Sequence, residues 1–168
     1  ETSGTPTMLI HDSFVSAARH LRAMDRKVDI VLADLGVSSN QLDDAQRGFG
    51  FQEDAPLDMR LDQDGGESVM TLLAGIEEGE LAELIRTYGE DPYAAAIARK
   101  VAQERQRGPI TTTGQLLRLV RDAYGARARS SRLHPATRTF MALRIALNEE
   151  IAALETLLDR IGRGCERV

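Results

Sequence analysis

The sequence predicts an α/β domain interrupted by a purely helical region, on three observations. The run Val28-Asp-Ile-Val-Leu-Ala-Asp34 is apolar or small at five of its seven positions. That is the texture of a central parallel strand covered on both faces. A short apolar run at Met8-Leu-Ile10, a helix-like stretch over 14–24 and the run from Val28 follow one another closely. Strand, helix and strand in that order make half of a doubly wound unit, which crosses over right-handed. From residue 67 onward the strand texture gives way to short amphipathic stripes, so 67–131 reads as a helical region.

Composition narrows the function classes. At 168 residues the chain is long enough for one full core. It is 42% hydrophobic and 28% charged, ordinary for a soluble globular domain. With aromatics at 4% and no Trp, the core must rest on Leu, Ile, Val and Ala. The single cysteine, Cys165, cannot form an internal disulfide, which points to a reducing, cytoplasmic compartment. No apolar run is long enough to span a membrane, and no signal-peptide pattern opens the chain. The net charge of -5 hides an asymmetry: residues 1–98 carry 7 basic and 19 acidic side chains, residues 99–144 carry 11 and 2. The first part repels a nucleic acid. The second either holds one or is a solvated basic helical surface.

In chain order, Ser13 stands as a cap for the helix over 14–24, whose apolar positions are Phe14, Val15, Ala18, Leu21 and Met24. The strand from Val28 stops at Asp34, and ligands of open α/β sheets bind at the carboxyl ends of strands. Gly36 can take angles closed to other residues. Ser38, Ser39 and Asn40 offer polar groups to a ligand or to a helix start. Residues 40–66 have no steady period, yet Phe49, Phe51, Leu57 and Met59 give this long connection apolar groups of its own to bury. Arg47 and Arg60 pair with nearby Asp residues or meet a phosphate; Asp43 and Asp58 are the candidate partners. Short helical stripes follow at 69–76 and 80–88. Asp91-Pro92 marks the start of a helix to about residue 106, Gly108-Pro109 ends it, and Thr113 can cap a helix to Tyr124. A loose run, Gly125-Ala-Arg-Ala-Arg-Ser-Ser-Arg132, leads to one long helix from Pro135 to Gly162. No glycine-rich phosphate loop, no Cys/His metal spacing and no nucleophile elbow occurs in the sequence, so no metal is expected.

Three longer motifs carry a resemblance. They are Asp34-Leu-Gly-Val-Ser-Ser-Asn-Gln-Leu-Asp43, Arg47-Gly-Phe-Gly-Phe51 leading to Pro56-Leu-Asp-Met-Arg60, and His134-Pro-Ala-Thr-Arg-Thr-Phe-Met-Ala-Leu-Arg144, with Gly108-Pro-Ile-Thr-Thr-Thr113 in the same pattern. The chain closely resembles the MraW-type bacterial small-subunit ribosomal RNA cytosine N4-methyltransferases, from about residue 8 to residue 158. The resemblance implies an incomplete class I (Rossmann-like) methyltransferase fold with a helical insert subdomain. Residues 1–66 would be part of the methyltransferase α/β domain, 67–131 the insert, and 132–168 the return to the first domain through a long helix. The first strand with its Gly-Gly-His cofactor loop and a Ser-Phe-His-Ser-Leu-Glu-Asp-Arg segment of the family have no counterpart here. The chain thus corresponds to the middle of such an enzyme, and by itself is expected to be inactive.

The resemblance also implies S-adenosyl-L-methionine as cofactor, and 16S ribosomal RNA or the small ribosomal subunit as partner. A homodimer stays open, and no membrane is involved. Phe14, Asp34 and Gln41 match cofactor-contacting positions, although Asp12, Ser13 and Asn40 depart from the family's usual Gly, Asn and Pro. The expected reaction is in-line transfer of a methyl group to the N4 amine of a cytidine. That amine is a poor nucleophile, and acceptors that orient its N–H bonds supply much of the rate. Asp34 is assigned as that acceptor or as a cofactor ligand, with the carbonyl of Leu35 as companion. The base must leave its stack, and Phe49 and Phe51 either stack on it or pack the loop. Arg129, Arg132, Arg138 and Arg144 are candidate phosphate contacts. His134 reads as a cap or core residue before a catalytic one. The rival to enzymatic function is an RNA-binding or protein-interaction module without catalysis, with the Arg-rich stretch as its working surface.

Overall fold

The computed structural model describes residues 6–129 and 133–162. Its helices are α1 (Ala17–Ala23), α2 (Ser39–Asp43), α3 (Val69–Gly75), α4 (Glu78–Gly89), α5 (Ala94–Arg105), α6 (Thr113–Tyr124), α7 (Pro135–Leu147) and α8 (Glu150–Gly162). Single 3-10 turns stand at Phe14–Ser16, Ala45–Arg47 and Gly125–Arg129. The chain divides into two compact units, one of residues 1–34 with 151–168, the other of residues 35–150.

In the first unit, Ser13 caps the 3-10 turn by accepting from the Val15 N–H at 3.4 Å, and α1 follows directly. Arg160 of α8 donates to the Val15 carbonyl. The strands expected at 8–10 and 28–34 do not form. Among the described residues, the one β-bridge joins Pro56 and Thr112, antiparallel. Ile30 and Leu32 stand 86% and 93% exposed. The reason is that a strand is defined by pairing: apolar alternation makes a segment fit for a sheet, but its N–H and C=O groups need a neighbouring strand. Residues 28–34 find none among the described residues, and the described residues outside the single bridge form helices and irregular chain.

The second unit is a helical assembly whose centre is α4, packed on α5 and α7, with α6 against both α5 and α7. Leu81 and Ile85 of α4, Ile97 and Val101 of α5, Leu116 and Val120 of α6 and Leu143 of α7 form its fully buried centre. These positions recur at helical spacing, so the same stripes that predict the helices supply the core. Local chemistry sets the boundaries. Ser68 accepts from the Thr71 N–H to start α3, and Thr112 with Gln115 closes a capping box at α6, one residue earlier than the sequence suggests. Asp91 turns inward instead of capping outward. It is 2% exposed and accepts from Tyr124 Oη at 3.0 Å, Thr139 Oγ1 at 3.4 Å and the Tyr93 N–H at 2.9 Å. Burial, then the hydrogen bond to Asp91, pushes the Tyr124 hydroxyl up to about 12.

The long connection before α3 is ordered by backbone hydrogen bonds of its own. Leu57 N–H donates to Thr111 O and Thr113 N–H to Ala55 O, each at 2.9 Å. Arg47 donates through Nη2 to the carbonyls of Arg60 (2.8 Å) and Leu61 (3.0 Å). Arg60 is the residue that pairs with Asp58, at 2.8 Å, and its hydrogen bond holds the Asp58 carboxyl below the usual range. Phe49, Leu57 and Met59 join the main core.

The expected single helix from Pro135 is two helices. Asn148 ends α7, and Glu149 takes φ 50. Asn148 Nδ2 donates to Met59 O at 2.8 Å while its Oδ1 accepts from the Leu61 N–H at 2.7 Å. Those tertiary bonds hold the chain at a left-handed step that periodicity alone does not show.

Candidate functional site

The resemblance places three residues at the cofactor. Phe14 lies in the first 3-10 turn with 39% of its surface exposed. Just before it, Asp12 accepts from His20 Nε2 at 2.7 Å and Arg19 at 3.0 Å; the His20 contact, first, brings its carboxyl down to about 2. Asp34 is exposed and makes no hydrogen bond or ion pair among the described residues. Leu35 is 40% exposed and begins the second unit. Gly36 then takes φ 105, which a side chain would strain. The turn delivers the chain into a capping box at α2, where Ser38 Oγ accepts from the Gln41 N–H and Gln41 Oε1 accepts from the Ser38 N–H at 2.8 Å. The carbonyl end of Gln41 is thereby used locally. Of the two readings of Ser38, helix start is the one the structure realises.

Within the second unit a cavity of about 610 Å3 opens between α2, the 49–53 segment and α7. Leu42, Asp43, Ala45, Phe49, Gly50, Phe51, Gln52, Glu53, Thr137, Phe140, Met141 and Arg144 line it. Its wall is aromatic. Phe51 meets Phe140 edge-on with ring centroids 5.0 Å apart, and on another side it stacks on His134 at 4.5 Å and 21°. Phe49 is 7% exposed, with the Arg47 guanidinium 5.5 Å above its ring. Its polar groups are few and of both signs. Arg144 is bound two-pronged by Glu150, Nε to Oε1 at 2.7 Å and Nη2 to Oε2 at 3.0 Å, which fixes the guanidinium at the cavity. Asp43 and Glu53 add carboxylates.

The cavity thus gathers Phe49, Phe51 and Arg144 from the sequence-based RNA candidates. Arg138 stands elsewhere on α7 and donates to the Glu90 carbonyl beyond the end of α4. Arg129 closes the 3-10 turn at Gly125–Arg129, and Arg132 lies outside the described residues. Sequence reasoning missed Phe140 and Met141 as lining groups and read Asp43 only as a brace. Their signal was present: Thr137, Phe140, Met141 and Arg144 recur at helical spacing, so one face of α7 carries both rings and charge.

No helix among the described residues is long and apolar enough to cross a membrane. The model of the MraW methylase family matches residues 3–164. Similar curated proteins carry the name ribosomal RNA small subunit methyltransferase H. That of Syntrophotalea carbinolica is 48% identical over 158 residues, 94% of this chain and 50% of the relative. That of Solidesulfovibrio magneticus is 53% identical over 137 residues, 80% of this chain and 42% of the relative. That of Micrococcus luteus is 49% identical over 142 residues, 82% of this chain and 43% of the relative. The chain spans about half the length of the curated relatives it matches. The family match covers nearly the whole chain, including the α2 turn, the Phe49–Phe51 wall and α7, and the chain belongs to the MraW methylase family.

Proposed function

We propose that this chain is the working middle of a cytoplasmic S-adenosylmethionine-dependent methyltransferase that modifies the N4 amine of a cytidine in 16S ribosomal RNA. Membership of the family carries the reading. The cavity beside Phe51 supports it as the place that receives the extruded nucleotide, since a flat base needs apolar walls and a few fixed polar groups. The run of helices from α3 to α6 supports reading 67–131 as an insert between 1–66 and 132–168 of a methyltransferase domain.

The residues assigned to the cofactor fit it by their chemistry. An exposed phenyl ring at Phe14 suits the adenine, an unpaired carboxylate at Asp34 suits hydroxyl or ammonium groups, and the amide NH2 of Gln41, a donor, suits a carboxylate. Bound S-adenosylmethionine supplies an electrophilic methyl group on a sulfonium. Asp34 accepts an N–H of the cytosine amine, the Leu35 carbonyl accepts the other, and together they aim the nitrogen lone pair. Arg144, held by Glu150, orients the nucleotide from the cavity wall.

The test is nucleoside mass analysis of ribosomal RNA from cells in which the full gene carries Asp34→Ala. Loss of one aligned acceptor lowers such rates by about 10²–10³-fold, so the N4-methylated cytidine should fall to trace level. Retention of the mark at wild-type level removes Asp34 from the site. Retention in cells without the gene rejects the reaction.

A further inference from the structure

The aromatic wall of the cavity does not end at the cavity. Phe140 touches Phe51 edge-on, and Phe51 stacks on His134 at 4.5 Å and 21°. Phe51 and Phe140 line the cavity, whereas His134 does not and is solvent-exposed. The three rings therefore lead from the inside of the cavity to the surface. Phe51 covers one face of the imidazole.

We infer that the exposed face of His134 is a stacking platform for the nucleotide next to the methylated one. This inference rests on the reading of the cavity as the target-base site. Three observations carry it. The ring is locked: His134 Nδ1 accepts from the Ala136 N–H at 3.2 Å as the cap of α7, which leaves the proton on Nε2. It is neutral: burial first, and the charge of Arg121 next, hold its pKa below the ordinary 6.5. A locked, neutral, flat ring loses little entropy on stacking and does not depend on which base arrives. The surrounding stretch 99–144, with 11 basic and 2 acidic side chains, favours a polyanion such as RNA over a neutral or basic partner. Extruding one base also unstacks its neighbour, and a ring at the cavity mouth replaces the contact that neighbour loses.

The variants separate ring from cap. His134→Asn keeps a good N-cap acceptor and removes the ring; His134→Phe keeps a ring and removes the cap. Binding of the chain is measured by fluorescence anisotropy with a labelled single-stranded RNA containing one cytidine. Two further RNAs are abasic on the upstream or the downstream side of it. His134→Asn should weaken binding of the intact RNA by roughly 5- to 150-fold, the range for one lost base–ring stack. His134→Phe should retain most of the affinity. One of the two abasic RNAs should bind the wild type as weakly as intact RNA binds His134→Asn, and should lose nothing further with that variant. Fully additive losses for both abasic RNAs overturn the platform and leave the cavity reading standing. Failure of the wild-type chain to bind the intact RNA overturns both.

Discussion

Gly48 sits at φ 70, and a Cβ built on it would lie 2.3 Å from the Pro56 carbonyl oxygen and 2.8 Å from the Asp58 nitrogen. The position therefore rejects a side chain twice, by backbone angle and by space. It fixes the turn between Arg47, which ties the loop to the carbonyls of Arg60 and Leu61, and Phe49, which enters the core. Gly48→Ala should destabilise the fold by about 2–4 kcal/mol, the sum of a left-handed penalty and overpacking against backbone. Urea denaturation would show it; a loss within experimental error would mean that the loop shifts freely and that Phe49 is not held by this turn. The sequence marks Gly48 only as one of two glycines flanking Phe49. The contact that makes it indispensable comes from Pro56, eight residues on, through a turn no local pattern announces.

At the scale of elements, the helices were legible where their signals were local. The stripes at 69–76, 80–88 and 113–124 became α3, α4 and α6, and serine or threonine caps fixed two of the starts. Elements decided by distant partners were not legible. The run at 28–34 has a strand's composition but no pairing among the described residues. Asn148 splits the last helical stretch because Met59 and Leu61, far back in the chain, bind its amide. The start of α7 gives a pH prediction. His134 caps it in neutral form, with a pKa below 6.5. As pH falls, the unfolded chain takes up this proton before the folded one does. The contribution is fully present above pH 6.5 and is lost as pH falls through the folded value. Unfolding free energy measured in urea at stepped pH should fall below pH 6.5 more steeply in the wild type than in His134→Asn. Identical slopes would mean that the imidazole is not held neutral.

For the whole molecule, charge is distributed more tellingly than its sum. A net charge of -5 would set the chain against RNA, yet the acidic residues concentrate in 1–98 and the basic ones in 99–144. RNA binding should accordingly weaken with salt as counterions are released, by a slope of about -0.7 in log K per log salt for each phosphate contact on a single strand. Replacing Arg129 and Arg132 together with Gln should reduce the slope by roughly 1.4. An unchanged slope in a filter-binding titration would remove both from the interface. Activity without salt-dependent binding would point instead to recognition through the cavity alone.

The sequence by itself determined the family, because long motifs of mixed chemistry survive without a fold, and most helices of the second unit, because helix periodicity and caps act within a few residues. It also offered Phe49, Phe51 and Arg144 as candidates for RNA contact, with loop packing as the alternative for the two rings. Only the tertiary structure decided that these three share a cavity with Asp43 and Phe140, that Arg47 serves backbone carbonyls, and that Phe51 is backed by His134. Those outcomes depend on residues as far apart in the chain as Asp43 and Arg144 meeting in space. Such meetings are set by how helices pack, and packing is a property of the assembled core rather than of any one segment.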